Sequence, residues 1–260
     1  QVQGVLPVIH TPFLDCDQID RESLRREIDW VFDVGGDGVV AAMVSEILRL
    51  TYDERLRLTD DLIEMSGDRG VVVTSVGAES IREAQVLARS AQRSGCHAVM
   101  AIPPISTSLP EDQLWRYFSE IADCIEMPLI VQDASSYVGG ALSIELLVRL
   151  LERFGEDKIL FKPEASPIGP NLSLLRDRTN GRAKVFDGSG GILLIDAFRR
   201  GIAGTMPGTD LLDGIVAIWR AMQQHDERTA YRVYFPLSEI VNLQLQAGLD
   251  GFLAIEKHLM

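Results

Sequence analysis

The chain has 260 residues, of which 46% are hydrophobic and 24% are charged, a composition typical of a globular protein with one large core. Its formal net charge of −13 argues against a nucleic-acid partner, because phosphate backbones are bound by clustered lysine and arginine. No apolar run approaches the ~18 residues that a membrane-spanning helix requires. We therefore expect a single-domain cytoplasmic protein that binds neither nucleic acid nor membrane.

The three cysteines, Cys16, Cys96 and Cys124, are odd in number, far apart in sequence and without the spacing of metal ligands. They predict neither a disulfide framework nor a metal site, and we expect a reducing compartment. The chain begins at Gln1 without a methionine and ends at Met260 inside a predicted helix. We therefore expect a trimmed piece of a longer protein.

Short β-branched runs alternate along the chain with longer segments of helical period, which is the pattern of parallel β/α architecture. Thr51, Ser80 and Ser143 supply helix start signals. The short runs predict eight strands, at residues 5–9, 39–42, 71–76, 98–102, 129–132, 159–162, 183–187 and 202–206. Helices are predicted at residues 21–34, 52–65, 81–94, 111–124, 143–154, 173–179 and 190–199, with additional C-terminal helices at 211–222, 230–246 and 252–260.

Eight such units predict an α/β fold, specifically a (β/α)8 TIM barrel with additional C-terminal helices. An open doubly wound sheet is the alternative, because periodicity does not reveal whether a sheet closes. The sequence has no glycine-rich phosphate fingerprint after the first strand, which favours the barrel. We expect the barrel at residues 1–208 and a truncated helical extension of the same domain at residues 209–260.

Only four of the 25 basic residues are lysines, and one of them, Lys162, ends the apolar run of the sixth strand. In a barrel, catalytic groups collect at the carboxyl ends of the strands. Burial there disfavours an ammonium and lowers its pKa, which makes a lysine a nucleophile toward carbonyls. The alternative is a lysine that Glu46 or Glu164 neutralises for structural reasons alone.

Polar residues and glycines near other strand ends are further candidates. Glu164 lies two residues after Lys162, so both side chains point the same way on an extended strand, and Glu164 is either a general acid or base or only a counter-ion. The glycine cluster at residues 188–191 allows close backbone approach to a ligand or forms a plain turn. His10 is either a substrate donor or, as is commoner for a lone histidine, structural. Candidates for substrate contact are Val44, Ser45, Asp133, Gly188, Ala203 and Thr205.

Five short segments occur in a specific order and spacing. They are residues 4–13 with their Thr-Pro-Phe ending, Ser45-Glu46 with the helix start after it, residues 128–131, Phe161-Lys162 and residues 201–204. Together they resemble the dihydrodipicolinate synthase and N-acetylneuraminate lyase family of class I aldolases over essentially the whole chain. The resemblance implies a homotetrameric or dimeric barrel whose Lys162 forms an imine with pyruvate or another 2-keto acid, without a metal or organic cofactor.

The chain departs from that family's pattern at the positions that relay protons. Gln132 and Asp133 stand where the family has a catalytic tyrosine followed by asparagine, and Met43 and Val44 stand where it has two threonines. Tyr137 stands in place of the arginine of true dihydrodipicolinate synthases. A proton relay of hydroxyl groups is therefore not expected, which disfavours a lysine-pathway synthase.

At and near these positions, the chain resembles a subgroup of the family instead. Gln-Asp-Ala after the fifth strand, Lys-x-Glu on the sixth and Ser-Glu in place of Gly-Glu are similar to 2-keto-3-deoxy-sugar-acid dehydratases, notably the L-2-keto-3-deoxyarabonate type. This resemblance implies that Lys162 forms the imine and that Ser45, with nearby backbone N–H groups, holds the substrate carboxylate. Glu164 is then the acid or base for loss of a β-hydroxyl, and Gln132 supplies a hydrogen bond.

Three functions remain as hypotheses. The first is a Schiff-base lyase that dehydrates a 2-keto-3-deoxy sugar acid. The second is a pyruvate-dependent aldolase or a dihydrodipicolinate synthase-like enzyme. The third is a barrel that binds keto acids without turnover, which the missing hydroxyls favour.

Overall fold

Eight parallel strands pair in chain order and close into a barrel in the computed structural model, which describes residues 1–136, 138–246 and 248–260. One run of hydrogen-bonded strands has the order β2-β3-β4-β5-β6 and the other the order β1-β8-β7. Parallel bridges between Val8 and Val40 and between Phe161 and Val185 join the two runs. This closure confirms the predicted (β/α)8 barrel over an open sheet. The strands are β1 (Gly4–Val5), β2 (Gly38–Ala41), β3 (Val71–Ser75), β4 (Ala98–Ala101), β5 (Leu129–Asp133), β6 (Ile159–Pro163), β7 (Phe186–Asp187) and β8 (Gly204–Thr205).

Side chains alternate between the two faces of each strand, because successive residues of a strand point to opposite sides. Leu160 packs inside the barrel, whereas Phe161 belongs to the larger apolar cluster between strands and helices. Lys162 therefore points inward again. The packed interior consists of Leu6, Val8, Val40, Ala42, Val73, Ala98, Met100, Ile130, Leu160, Phe186 and Met206.

Ten helices are assigned within the described ranges, and most begin where the sequence predicts. Thr51 forms a capping box with Glu54, and Ser80 and Ser143 each accept a backbone N–H at a helix start. The helices are α1 (Arg21–Asp33), α2 (Tyr52–Ser66), α3 (Ile81–Ser94), α4 (Glu111–Asp123), α5 (Ile144–Phe154), α6 (Ile168–Arg178), α7 (Leu194–Arg199), α8 (Leu212–Gln223), α9 (Glu227–Leu245) and α10 (Gly248–Leu259).

Four helices begin three or more residues away from their predicted starts. Helix α9 begins at Glu227 rather than at residue 230, and α10 begins at Gly248 rather than at residue 252. Helix α6 starts at Ile168 rather than at residue 173. Pro170 is compatible with this earlier start, because it falls in the first turn of the helix, where its missing N–H is not needed. Helix α7 starts at Leu194 rather than at residue 190. Gly190 and Gly191 have φ of 66° and 100°, so the chain is not helical there.

The C-terminal helices have two different positions. Helix α8 contacts α7 and β1, which is the place of the eighth barrel helix, so the expected boundary at residue 208 would separate it from the barrel that it packs against. Helix α9 packs along α8, and α10 packs on α9. The extension proper is therefore α9 and α10. Within the described ranges, no helix is both long and apolar enough to cross a membrane.

Candidate active site

Lys162 and Glu164 form a buried ion pair at the carboxyl end of β6. The two residues are only 5% and 3% exposed, respectively. Lys162 Nζ lies 3.3 Å from Glu164 Oε1. The backbone of Glu164 continues the pairing with β5, because its N–H donates to Asp133 O at 2.9 Å. The strand therefore stays extended beyond Lys162, and the two-residue spacing brings both charged groups together.

Gln132 completes this constellation from the neighbouring strand. It is the register partner of Lys162 across β5 and β6, and its Nε2 donates to Glu164 Oε2 at 2.6 Å. Glu164 thus directs one oxygen at the lysine and the other at the amide. Gln132 Oε1 is buried and has no hydrogen-bond partner among the described residues. The three predicted catalytic residues are brought together, while their roles stay predictions.

The pKa of Glu164 is raised above its ordinary value, chiefly because burial penalises the carboxylate. The charge of Lys162 and the hydrogen bond from Gln132 favour the carboxylate but do not outweigh the loss of solvent. The negative charge of Asp187 raises the pKa further. A carboxyl group in this state accepts a proton more readily than a solvated glutamate does, as a general acid or base requires.

Gly188 has no side chain, and the ion pair occupies the space where a Cβ would lie. A Cβ at this position would lie 2.4 Å from Glu164 Oε1 and 2.7 Å from Lys162 Cε, closer than real Cβ contacts allow. For the glycine cluster that includes Gly188, the sequence predicts either close approach to a ligand or a plain turn. The structure shows close approach to the side chains of Lys162 and Glu164, and Gly188 also lines the cavity beside them.

A cavity opens onto the ion pair. Apart from Gln132, Lys162 and Glu164, the described residues that line it are apolar or glycine. Leu249 and Phe252 of α10 cover it, so the C-terminal extension forms the roof. The remaining lining residues are Val8, Ala42, Met43, Val44, Gly188, Gly190, Met206 and Gly208. The predicted contact residue Val44 is thus part of the wall.

Ser45 is buried behind this wall rather than in it. Its hydroxyl donates to Ile9 O at 2.5 Å and accepts from Ala42 N at 3.1 Å. The side chain therefore holds the turn after β2 in place. In contrast, the backbone N–H groups of Met43, Val44 and Ser45 donate to no other group among the described residues. The turn thus presents three consecutive free donors.

Asp133 and Thr205 point away from the cavity, toward the loops and helices outside the barrel. Asp133 accepts the N–H groups of Ser135 at 2.9 Å and Leu142 at 2.7 Å, which fixes the loop after β5. Thr205 Oγ1 donates to Asp187 Oδ2 at 3.2 Å. Direct substrate contact by either side chain is not supported by this placement, because odd and even residues of a strand face opposite sides.

Asp187 was not among the predicted site residues, although its charge acts on Glu164. It is 1% exposed, and burial raises its pKa above the ordinary value. Ser189 donates to it from both its hydroxyl and its backbone. The signal available in the sequence was an aspartate immediately before the glycine cluster, at the end of an apolar strand.

Ala203 requires a correction. It precedes the first residue of β8 and lines a pocket with Gln3 and Lys184 at the amino end of the barrel. Lys162 lies at the carboxyl end, so substrate contact by Ala203 is not supported. The prediction placed Ala203 inside the eighth strand, at residues 202–206, whereas the strand is Gly204–Thr205 and Ala203 precedes its amino end.

Comparisons with known proteins agree with this architecture. The model of the dihydrodipicolinate synthetase family matches residues 1–162. The chain belongs to this family. It is 31% identical to an L-2-keto-3-deoxyarabonate dehydratase of Azospirillum brasilense over 93% of the chain and 80% of that protein. It is also 31% identical to a 4-hydroxy-tetrahydrodipicolinate synthase of Methanopyrus kandleri, over 59% of the chain and 52% of that protein.

The chain has the same fold as a solved structure of another protein. It is a prophage protein of E. coli K12 belonging to the dihydrodipicolinic acid synthase family, in complex with pyruvate. The two chains superpose with a TM-score of 0.89 at 21% identity, covering 99% of this chain and 87% of the other. Tyr137, which stands in place of the family's arginine, lies outside the described residues. No group of three or more potential metal-ligating side chains is found within those residues.

Helix α10, which forms the roof of the cavity, is anchored to the barrel by charged residues that lie outside the cavity. His10 Nε2 lies 3.2 Å from Glu256 Oε2 on α10, and His10 Nδ1 lies 2.8 Å from Thr209 Oγ1 and 3.2 Å from Glu27 Oε1. Lys257 of the same helix pairs with Glu46. His10 is thus a structural group in the described chain, and α10 is held to the barrel rim.

Both members of the His10–Glu256 pair have raised pKa values. Burial alone lowers the pKa of His10, but Glu256 and Glu27 outweigh it and raise the pKa from 6.5 to about 9. Burial raises the pKa of Glu256 from 4.5 to about 7, helped by neighbouring Asp210. A group whose pKa is higher in the folded state stabilises the fold below its unfolded pKa and loses that contribution as pH rises. As the pH rises, the contribution of Glu256 to the free energy of unfolding is therefore lost between pH 4.5 and about 7. The contribution of His10 is lost between pH 6.5 and about 9.

We predict that Glu256→Gln removes part of this pH dependence. Between pH 5 and pH 8 the free energy of unfolding should fall less in the variant than in the parent protein, by on the order of 2 kcal/mol. Urea unfolding at both pH values measures the difference. Glu145→Gln is the control, since that side chain is 59% exposed and forms a surface ion pair with Arg178. Parallel pH profiles for the parent and Glu256→Gln would contradict the assignment.

Proposed function

We propose that the chain is a lyase that joins Lys162 to the keto carbon of a 2-keto-3-deoxy sugar acid and then eliminates water. The observation that carries the proposal is the buried Lys162–Glu164 pair, 3.3 Å apart, facing an apolar cavity at the carboxyl end of a barrel strand. The likeness to an L-2-keto-3-deoxyarabonate dehydratase over 80% of that protein's length supports this substrate class.

The substrate carboxylate is held by the turn after β2. Three consecutive backbone N–H groups, of Met43, Val44 and Ser45, are free there among the described residues, and two of these residues line the cavity. Successive free N–H groups in a turn bind anions without a charged side chain. This supports the expected role of Ser45, through its backbone rather than its hydroxyl.

Imine formation uses the short distance between Lys162 and Glu164. The ammonium passes a proton to the carboxylate, and the free amine attacks the keto carbon C2. The carbinolamine then loses its hydroxyl, which leaves as water with the proton that Glu164 holds. The raised pKa of Glu164 suits it to carry this proton.

The same carboxylate then moves the proton that elimination requires. Glu164 removes a proton from C3, and the electron pair enters the iminium to give an enamine. The nitrogen lone pair of the enamine then re-forms the iminium, a C3=C4 double bond forms and the C4–O bond breaks. Glu164 gives its proton to the departing oxygen, which leaves as water. One carboxyl group thus serves both steps, and the hydroxyl relay of the family is not required.

We also propose that the protein acts as a homodimer or homotetramer in the cytoplasm. Phe235 and Leu243 on α9 are 63% and 65% exposed in the single chain, and association would cover such apolar side chains. Sedimentation velocity at micromolar concentration measures this, and a monomer throughout would refute it.

Borohydride trapping tests the imine. With pyruvate and sodium borohydride, peptide mass spectrometry should find a reduced adduct on Lys162, and Lys162→Arg should abolish it. Lys184→Arg is the matched control, because Lys184 pairs with exposed Asp157 at the other end of the barrel. A folded protein that gives no adduct with pyruvate or with L-2-keto-3-deoxyarabonate would refute the proposed function. An aldehyde appearing together with pyruvate as products would instead identify an aldolase.

Glu164→Gln separates imine formation from elimination. The amide keeps the size of the side chain but cannot carry a proton, so turnover of L-2-keto-3-deoxyarabonate should fall about 10²- to 10⁴-fold. The pyruvate adduct on Lys162 should still form, more slowly. Steady-state rates and trapping are measured on the same preparation, with Glu145→Gln as control. Turnover within tenfold of the parent would show that another group moves the proton.

A further inference from the structure

We infer that Gln132 Oε1 accepts the hydrogen of the substrate hydroxyl on C4, the group that leaves, and so selects 2-keto acids that carry this hydroxyl. The inference rests on the proposed function, since it concerns the same cavity and the same imine. Gln132 is then a specificity residue as well as a neighbour of Glu164.

The orientation of the Gln132 amide is set by Glu164. Its Nε2 donates to Glu164 Oε2 at 2.6 Å, and a flipped amide would place its oxygen against a carboxylate oxygen. Consequently Oε1 is the atom turned away from the carboxylate. The residue is 2% exposed and lines the cavity beside Lys162.

Oε1 is an acceptor without a donor. It has no hydrogen-bond partner among the described residues, and a buried acceptor left in this state costs about 1–3 kcal/mol. The remaining side chains of the lining, apart from Lys162 and Glu164, are apolar or absent. Among the described residues that line the cavity, Gln132 therefore carries an unused side-chain acceptor, which a bound molecule satisfies by bringing a donor.

The chemistry of a 2-keto-3-deoxy acid leaves few donors near this atom. The carboxylate and C3 have none, and the single N–H of the iminium lies on Lys162 Nζ, which already faces Glu164 Oε1 at 3.3 Å. Gln132 and Lys162 are register partners on strands about 4.8 Å apart, so the amide stands beside the first carbons beyond the imine. The hydroxyl on C4 is the donor in this position.

Two contacts then hold the leaving group. The C4 hydroxyl donates its hydrogen to Gln132 Oε1 and receives the proton from Glu164 on its oxygen as the C4–O bond breaks. Water departs with both hydrogens, and Gln132 itself gains and loses no proton. This arrangement distinguishes the hydroxylated acid from the same carbon chain without the hydroxyl.

The test compares 4-hydroxy-2-oxopentanoate with 2-oxopentanoate, which differ only in the C4 hydroxyl. For each compound, the concentration that gives half-maximal borohydride labelling of Lys162 is measured. The parent protein should favour the hydroxylated acid about tenfold, the value of one hydrogen bond of roughly 1.4 kcal/mol. In Gln132→Met, which keeps the approximate volume, the ratio should fall to about one, while labelling by pyruvate persists.

The ratio is the decisive readout, because a merely structural effect of Gln132→Met would weaken labelling by both acids equally. Gln113→Met, on the exposed side of α4, is the matched control and should keep the ratio of the parent. An unchanged ratio in Gln132→Met would overturn the inference, as would loss of pyruvate labelling in that variant alone, which would assign the amide to the iminium. Absence of any adduct in the parent would overturn the proposed function and this inference with it.

Discussion

The buried contact between Lys162 and Glu164 is the constraint around which the site is arranged. Removing two charged groups from water costs several kcal/mol for each ion, and their attraction offsets this only when the geometry is good and the remaining hydrogen bonds are made. Gln132 supplies one such bond, and the missing Cβ of Gly188 leaves the room. A neighbouring Asp187 works against full ionisation of Glu164. The pair is therefore held close in a buried setting that disfavours the charged carboxylate.

The alternation of side chains along barrel strands divides the polar residues into two groups. Gln132 and Lys162 point into the barrel, next to the cavity. Asp133, Asp187 and Thr205 point outward. Asp133 and Asp187 accept hydrogen bonds from the loops that follow them, and Thr205 donates to Asp187 of the neighbouring strand. Adjacent residues thus have different tasks for a purely geometric reason. The family's tyrosine position carries an inward amide here, so the proposed function assigns the proton chemistry to the carboxylate of Glu164.

Helix α10 covers the cavity with apolar side chains. Leu249 and Phe252 cover the ion pair, and the underside of the helix is attached by Glu256 to His10 and by Lys257 to Glu46. An apolar roof excludes water, which strengthens every electrostatic interaction beneath it. The roof and the turn after β2 are linked through Glu46, so the position of the roof and the shape of that turn depend on each other.

Much of this protein is determined by local sequence. The alternation of apolar runs and helical segments established the eight β/α units, and the isolated Lys162 at a strand end, two residues before Glu164, indicated the reactive pair. Tertiary structure decided what local pattern does not contain: barrel closure, the starts of α6 and α7, and the return of α10 over the mouth. It also decided which residues near the strand ends reach the cavity, moving Ala203 to the opposite end and Asp133 and Thr205 to the outer face. The physical reason is that periodicity reports which residues are apolar, whereas the direction of a side chain depends on strand register, and register is set by pairing between segments distant in the chain.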